Sequence, residues 1–125
     1  MDYKLNSLDI LNDIIGSAKD FGAEAADAVM FDSASIELSV RLGKTEKLER
    51  AESRDLGLRV LIGKRQAVVS STDHSEESLK EMAERCVAMA RIAPEDPWCG
   101  LAERSQLEKA PPDLDLFDRH EPSTE

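Results

Sequence analysis

The two histidines are the side chains of this sequence best suited to metal or acid–base chemistry. His120 and Glu121 open the pattern His-Glu-x-x-His, in which two imidazoles on one helical face hold a zinc ion. The position that requires the second histidine is Thr124, and in the pattern with one further spacer it is Glu125. These spacings exclude a zinc site of this type. His74 stands alone before a helix and is predicted to be a solvated loop histidine.

The cysteines, acidic residues and glycines give no catalytic pattern either. Cys86 and Cys99 lack a Cys-x-x-Cys pairing, which predicts neither a disulfide framework nor a thiolate zinc site and favours a reducing compartment. Asp113, Asp115 and Asp118 lack the glycine and the closing glutamate of a calcium loop. The six glycines do not have a phosphate-binding spacing. The sequence therefore predicts no catalytic residue, no cofactor-binding residue and no metal ligand.

Two amphipathic helices are predicted to flank the middle of the chain. Ser7 is a favourable N-cap for apolar residues at helical spacing over 8–21. Asp73 and Ser75 are alternative caps for a second helix that ends before Pro94. Cys86 lies on the apolar stripe of this second helix, so we expect it to be a core residue.

Five short segments between the helices have strand character: 25–32, 36–42, 45–53, 56–62 and 66–71. In the second segment, Ile36, Leu38 and Val40 alternate with polar residues, which predicts that these three side chains face the core. The third segment has Leu48 as its only large apolar residue and should be exposed or at an edge. Glycine–lysine pairs separate neighbouring segments as in hairpins, so the middle of the chain is predicted to be an antiparallel meander.

The order of these elements predicts an α+β fold, an antiparallel β-meander with two helices packed on one face. Residues 1–93 would form this domain. Residues 94–125 contain all five prolines and would form an extended tail. No apolar run reaches the length of a membrane span, and no signal segment is evident, so a membrane is not an expected partner.

The charge of the chain is unevenly distributed. Sixteen Lys and Arg against 26 Asp and Glu give a net charge of −10, yet residues 34–65 hold eight bases and five acids. The signs alternate within this basic segment, which favours cross-strand ion pairs on a solvated face over a track for phosphates. Nucleic acid is therefore not the expected partner.

Six segments together resemble the N-terminal domain of the TldD/PmbA family. They are Phe21–Glu24, Ile36–Arg41, Leu56–Val60, Ala67–Asp73, Glu95–Ala102 and Pro112–Phe117. The resemblance extends from Leu8 to Phe117. Its last two segments resemble the PmbA branch of the family, also called TldE.

The resemblance implies that the chain is an N-terminal part of a longer subunit, with a C-terminal domain beyond the tail. It implies a cytoplasmic metallopeptidase formed with a TldD-like partner subunit, as a heterodimer or a higher assembly. The TldD-like subunit would carry zinc in a His-Glu-x-x-x-His motif, which no residue of this chain matches. The implied substrates are peptides, including microcin precursors and unfolded antitoxin.

On this interpretation the domain acts in scaffolding, subunit assembly or lining of the substrate chamber, and is not catalytic alone. Arg41, Arg50 and Arg59 are the candidates to face carboxylates of a partner or peptide, and strand edges are available to pair with an extended peptide. An alternative is a regulatory module that binds DNA gyrase or nucleic acid, suggested by the basic segment and by the family's older name, modulator of DNA gyrase. A third is a stand-alone adaptor, if the natural chain ends at Glu125.

Overall fold

The computed structural model describes the backbone of residues 3–123 and the side chains from Ser7 onward. Positions 124 and 125, where the zinc motif would need its second histidine, lie outside the described residues. The elements in chain order are α1 (Tyr3–Asp20), β1 (Ala25–Arg41), β2 (Lys44–Ile62), β3 (Arg65–Ser71), α2 (Glu76–Ile92) and a short 3-10 helix (Arg104–Gln106).

The three strands form one antiparallel sheet in the order β1-β2-β3. β1 pairs with β2 along its whole length, from Ala25 opposite Leu61 to Arg41 opposite Lys44. β3 pairs only with the last part of β2, Leu56–Ile62. The predicted α+β fold, with two helices on an antiparallel sheet, is confirmed.

The number of strands differs from the five predicted segments. The segments 25–32 and 36–42 are one strand, β1, and the segments 45–53 and 56–62 are one strand, β2. The residues between them, 33–35 and 54–55, are polar or small but contain neither glycine nor proline. Without a turn-forming residue, the extended backbone continues through both intervals.

The core lies between the helices and the short, three-stranded part of the sheet. Leu56, Leu58 and Val60 alternate along β2 and are fully buried against the helices. Cys86 of α2 joins them, as predicted, and its Sγ lies 3.5 Å from the carbonyl oxygen of Ala67. The other buried members of this core are Ile14, Ala18, Ala23, Ala67, Met82, Ala83, Val87 and Ala90.

Beyond this core the β1–β2 hairpin continues as a two-stranded ribbon, which we call the arm and define as residues 33–53. No side chain of the arm is buried. Ile36, Leu38 and Val40 are 38%, 43% and 61% exposed, so the prediction that they face the core is wrong. The reason is that β3 and the helices cover only the base of the hairpin. Nine residue steps from Ser33 to the tip correspond to about 30 Å of ribbon.

The ends of the two helices agree with some of the predicted capping residues and differ from others. α1 begins at Tyr3, before Ser7, so the predicted N-cap at Ser7 is wrong; residues 3–6 contain no helix-breaking residue. The helix ends at Asp20, and Gly22, the expected stop, follows it with a φ of +113°. At α2 the N-cap is Ser75, whose amide donates to Asp73 Oδ1 at 2.9 Å. This hydrogen bond lowers the pKa of Asp73.

In the described part of the chain, the tail contacts the domain near Lys64 and again at the arm. The Asp96 amide donates to the Lys64 carbonyl at 2.7 Å, and Cys99 is buried, so the first tail residues lie against the end of the sheet. Further along, the carboxylate of Glu121 accepts a hydrogen bond from Arg50 on the arm at 3.2 Å. Within residues 3–123, neither helix has the combination of length and apolar character that a bilayer crossing needs.

Candidate protein-interaction surface

The tip of the arm presents an apolar side chain in an unfavourable backbone conformation. Leu42 and Gly43 both have positive φ, +50° and +74°, the geometry of a type I′ turn. Glycine adopts this conformation freely, whereas a leucine in it is uncommon. The Leu42 side chain is 96% exposed, so no contact in the described chain compensates for the strain. Leu42 is not among the residues that the sequence pattern indicates, because the Gly43-Lys44 pair predicts a turn one residue further along.

Arg41 lies beside the tip and is the least constrained of the three predicted arginines. Its Nη1 is 3.5 Å from Glu46 Oε1, at the limit of a hydrogen bond, and its side chain is 75% exposed. The guanidinium is therefore available for a carboxylate of another molecule.

Arg50, midway along the arm, is already bound by two carboxylates. It donates to Glu52 at 2.8 and 3.0 Å and to Glu121 of the tail at 3.2 Å. The hydrogen bonds to Glu52 and Glu121 raise the pKa of Arg50. This arginine ties the tail to the arm.

Arg59, at the base of the sheet, forms a two-point ion pair with Asp27 on the neighbouring strand. Its Nε and Nη2 donate to the two Asp27 oxygens at 2.9 and 2.6 Å. These hydrogen bonds raise the pKa of Arg59 against the opposing effect of partial burial. A planar guanidinium suits such a two-point contact, so we assign this pair mainly to local structure.

The register shows which of these arginines share a face. Successive strand residues point to opposite sides, and Leu56, Leu58 and Val60 point to the helices. Odd-numbered residues of β1, including Arg41, and those of β2 from Lys47 onward, including Arg59, therefore lie on the side without helices, which we call the open face. Nearer the tip the register shifts between Ser39 and Val40, so that Arg41 lies opposite Lys44. Arg50 pairs with Ile36 and lies on the other side. The three predicted residues thus do not form one cluster.

An apolar row follows the helix-side face of the arm. Leu38 lies directly opposite Leu48, which is 55% exposed, as expected for the third predicted segment. Ile36 is two residues from Leu38 on the same side. Tail residues 117–122 lie beside the start of this row and line, with Ala34, Ile36 and Arg50, an open groove of about 430 Å³.

A second apolar patch, not foreseen from the sequence, lies on the open face at the base of the sheet. Val29, Phe31 and Val68 are 63%, 65% and 62% exposed there. Gly57 of the central strand lies between them, because it pairs with Val29 on one side and with Ser70 on the other. The signal that could have indicated this patch is the continuous apolar run from Ala28 to Phe31. In a strand such a run places apolar side chains on both faces, Val29 and Phe31 on one and Ala28 and Met30 on the other.

His74 differs from its prediction as a solvated loop residue. It is only partly exposed, it borders a groove of about 650 Å³ between α1 and α2, and its Nε2 is buried without a hydrogen-bond partner. The cause is its position where the chain turns from β3 into α2, close to α1.

Among residues 3–123, no group of three or more His, Cys, Asp or Glu side chains is arranged to hold a metal ion. The residues that the structure describes therefore do not fit a zinc site.

Comparison with known protein families places this architecture in a metallopeptidase family. Residues 26–90, just over half of the chain, match the family model described as PmbA/TldA metallopeptidase domain 1. The match covers the sheet except Ala25, including the whole arm, and most of α2. The chain belongs to the PmbA/TldD family, as its sequence resemblance predicted.

Two curated relatives are consistent with this family. The metalloprotease PmbA of Escherichia coli O157:H7 is 33% identical over 103 residues, which are 82% of this chain and 22% of the relative. A PmbA homologue of Haemophilus influenzae is 32% identical over 96 residues, 77% of this chain and 21% of the relative. The chain thus spans about a fifth of the length of the curated relatives it matches.

Two solved structures share the fold. One, from Bacteroides thetaiotaomicron, is described as a candidate modulator of DNA gyrase; it has a TM-score of 0.84 at 22% identity, over 95% of this chain and 27% of that one. The other is TldE from Thermococcus kodakarensis, with a TM-score of 0.68 at 22% identity, over 89% of this chain and 25% of that one. At this identity the likeness concerns the fold.

Proposed function

We propose that this domain is a non-catalytic assembly module of a PmbA-type metallopeptidase subunit, and that its arm contacts a TldD-like partner. The observation that carries the proposal is the arm itself, with an exposed leucine held in a strained turn at its tip. Strained backbone and large exposed apolar side chains are typical of surfaces that meet another molecule.

The charges of the arm support a protein partner over a nucleic acid. Lys47 lies between Glu37 and Glu49, at 3.3 and 2.6 Å, and Arg50 binds Glu52. Cations engaged in this way are not free to displace counterions from phosphates. This pairing disfavours the alternative of a gyrase- or nucleic-acid-binding module.

Membership of the PmbA/TldD family supports peptide cleavage as the reaction of the proposed assembly. The metalloprotease names of the curated relatives imply a metal, and we place zinc in the TldD-like subunit. In this proposal the substrates are peptides, such as microcin precursors and unfolded antitoxin, and the assembly acts in the cytoplasm. Scaffolding and lining of the substrate chamber are further roles of the same surface.

The test mixes the chain with a TldD-like subunit and measures association by analytical ultracentrifugation. We expect binding, and we expect Arg41→Glu to weaken it by about tenfold, the loss of one charge-assisted contact. Arg85→Glu, the same charge reversal on the exposed side of α2, is the matched control and should bind as the native chain does. Absence of association, or equal weakening by both variants, would contradict the proposal.

Arg59 needs its own control because its substitution breaks an internal ion pair. Asp27→Asn weakens the same pair but keeps the guanidinium, so a direct role of Arg59 predicts that Arg59→Gln lowers association and Asp27→Asn does not. If both variants lower association equally, Arg59 acts only through the structure of the sheet.

A further inference from the structure

The edge of β1 that faces away from β2 is long and, along the arm, has no strand partner among the described residues. β1 is the first strand in the sheet order, so only one of its two sides is paired with β2. Among the described residues, none of the backbone hydrogen bonds outside the sheet joins the arm part of this edge to another segment. A free edge of this length can pair with an extended chain from another molecule.

The two edges of the arm differ in how they are protected. Of the twelve β2 residues 44–55, eight are charged, and charged side chains along an edge discourage pairing. On β1, residues 33–40 contain one charged residue, Glu37. The sheet's opposite edge, β3, is only seven residues long. The β1 edge is therefore both long and nearly free of protecting charge.

The side chains along β1 define what would fit beside it. Ala34, Ile36 and Leu38 form the helix-side row, and the first two line the open groove of about 430 Å³ beside the tail. Ser33, Ser35 and Ser39 alternate with them on the open face. A neighbouring strand would thus place apolar residues on one side and small polar residues on the other.

The open face has an excess negative charge at Glu37, which a positive charge on a bound strand would neutralise. Glu37 lies directly opposite Glu49, and the two carboxylates share the single ammonium of Lys47. Like charges opposite each other are unfavourable, and one lysine compensates only one of the two. A basic residue of an incoming strand, level with Glu37, would balance the second.

We propose that the β1 edge from Ser33 to Val40 binds an extended peptide with alternating apolar residues and one lysine or arginine level with Glu37. The proposal rests on the proposed role of the arm in meeting a polypeptide, and names the edge and the sequence pattern. A second copy of this chain is disfavoured as the occupant, because each copy carries a net charge of −10.

The probe is the fluorescein-labelled peptide Glu-Val-Thr-Val-Lys-Val-Thr-Val-Thr, whose binding to the chain is followed by fluorescence anisotropy. Ser35→Lys places a protecting charge on the β1 edge and should weaken binding by at least about tenfold. Ala51→Lys is the matched control, since Ala51 lies directly opposite Ser35 and the variant adds the same charge at the β2 edge. It should change binding by less than about twofold if β1 alone is the site.

A charge exchange tests the register. Replacing the peptide lysine by glutamate should weaken binding to the native chain, and Glu37→Lys should restore it. Hydrogen exchange should show that the peptide slows exchange of amides in 33–40 and leaves 44–55 unchanged.

Three results would overturn the edge assignment: no binding, equal weakening by Ser35→Lys and Ala51→Lys, or a doubled molecular mass from pairing of two arms. The assembly experiment separates this outcome from failure of the proposed function. If Ser35→Lys and the native chain associate equally with the TldD-like subunit while the peptide does not bind, only the edge assignment fails.

Discussion

Leu58 and Leu38 show how the same residue type differs in role along one hairpin. Both lie on the helix-side face, but Leu58 is fully buried and Leu38 is 43% exposed. Leu58→Ala should lower the free energy of unfolding by about 2–5 kcal/mol, because it leaves a cavity in the core. Leu38→Ala should lower it by less than about 1 kcal/mol, the contribution of a cross-strand pair such as Leu38 with Leu48. Urea denaturation followed by circular dichroism measures both. Similar losses in the two variants would mean that the arm packs against another part of the domain.

Cys86 makes stability sensitive to alkaline pH. Burial raises the pKa of its thiol above that in the unfolded chain. Below about pH 8.5, the ordinary value for cysteine, the thiol is protonated in both states and has no effect. As the pH rises further, the unfolded chain loses this proton before the folded one, so the free energy of unfolding falls. Urea titrations between neutral and alkaline pH measure this decline.

Cys86→Ala is the control for this titration. The variant leaves a small cavity and is less stable at every pH, but it lacks the thiol and should show a shallower alkaline decline than the native chain. An unchanged decline in Cys86→Ala would assign the effect to other groups.

At the scale of elements, the turn of the arm is the place where sequence and backbone conformation conflict. Leu42 occupies a positive-φ position of a type I′ turn, for which asparagine followed by glycine is strongly preferred. Leu42→Asn should therefore stabilise the turn by roughly 0.5–1 kcal/mol, comparable to relieving one unfavourable backbone residue. Slower amide exchange in residues 38–48 would report this gain. Faster exchange there would mean that the leucine side chain holds the turn through contacts of its own.

The sequence predicts the helices and the alternating faces of the strands well. It does not predict how much of the sheet the helices cover. Periodicity located α2, its Cys86 stripe and the alternation along β1, because these patterns depend on near neighbours in the chain. The burial of Ile36 depends on whether β3 and the helices reach that far, which alternation does not encode. Leu56 to Ile62 and Ile36 to Leu42 have nearly the same pattern, yet only the first is covered.

The ion pairs of the candidate surface were also predictable only in part. Alternating charge in 34–65 correctly indicated cross-strand ion pairs, such as Lys47 with Glu37. It did not reveal that Arg50 and Arg59 are held by carboxylates within the chain, one of them on the distant tail residue Glu121. Such contacts join residues far apart in sequence, and only the folded chain brings them together.

At the scale of the whole molecule, the charge separates into an acidic body and a neutral arm. Residues 33–53 contain four acids and four bases, so the net charge of −10 resides in the remaining chain. The acidic body opposes association between copies, whereas the arm projects beyond it without net charge. This arrangement favours the arm as the first point of contact with a different molecule.

Because the arm lies outside the core, we expect the rest of the domain to fold without it. Replacing residues 33–53 by Asn-Gly would join Asp32 to Arg54, which already face each other as a pair, through a short type I′ turn. Because no side chain of the arm is buried, the free energy of unfolding should change by less than about 1 kcal/mol and unfolding should remain cooperative. Urea denaturation measures the stability, and the same protein tested with the TldD-like subunit should have lost association. A shortened chain that is unfolded would show that the arm is part of the folding unit; one that still associates would remove the arm from the proposed interface.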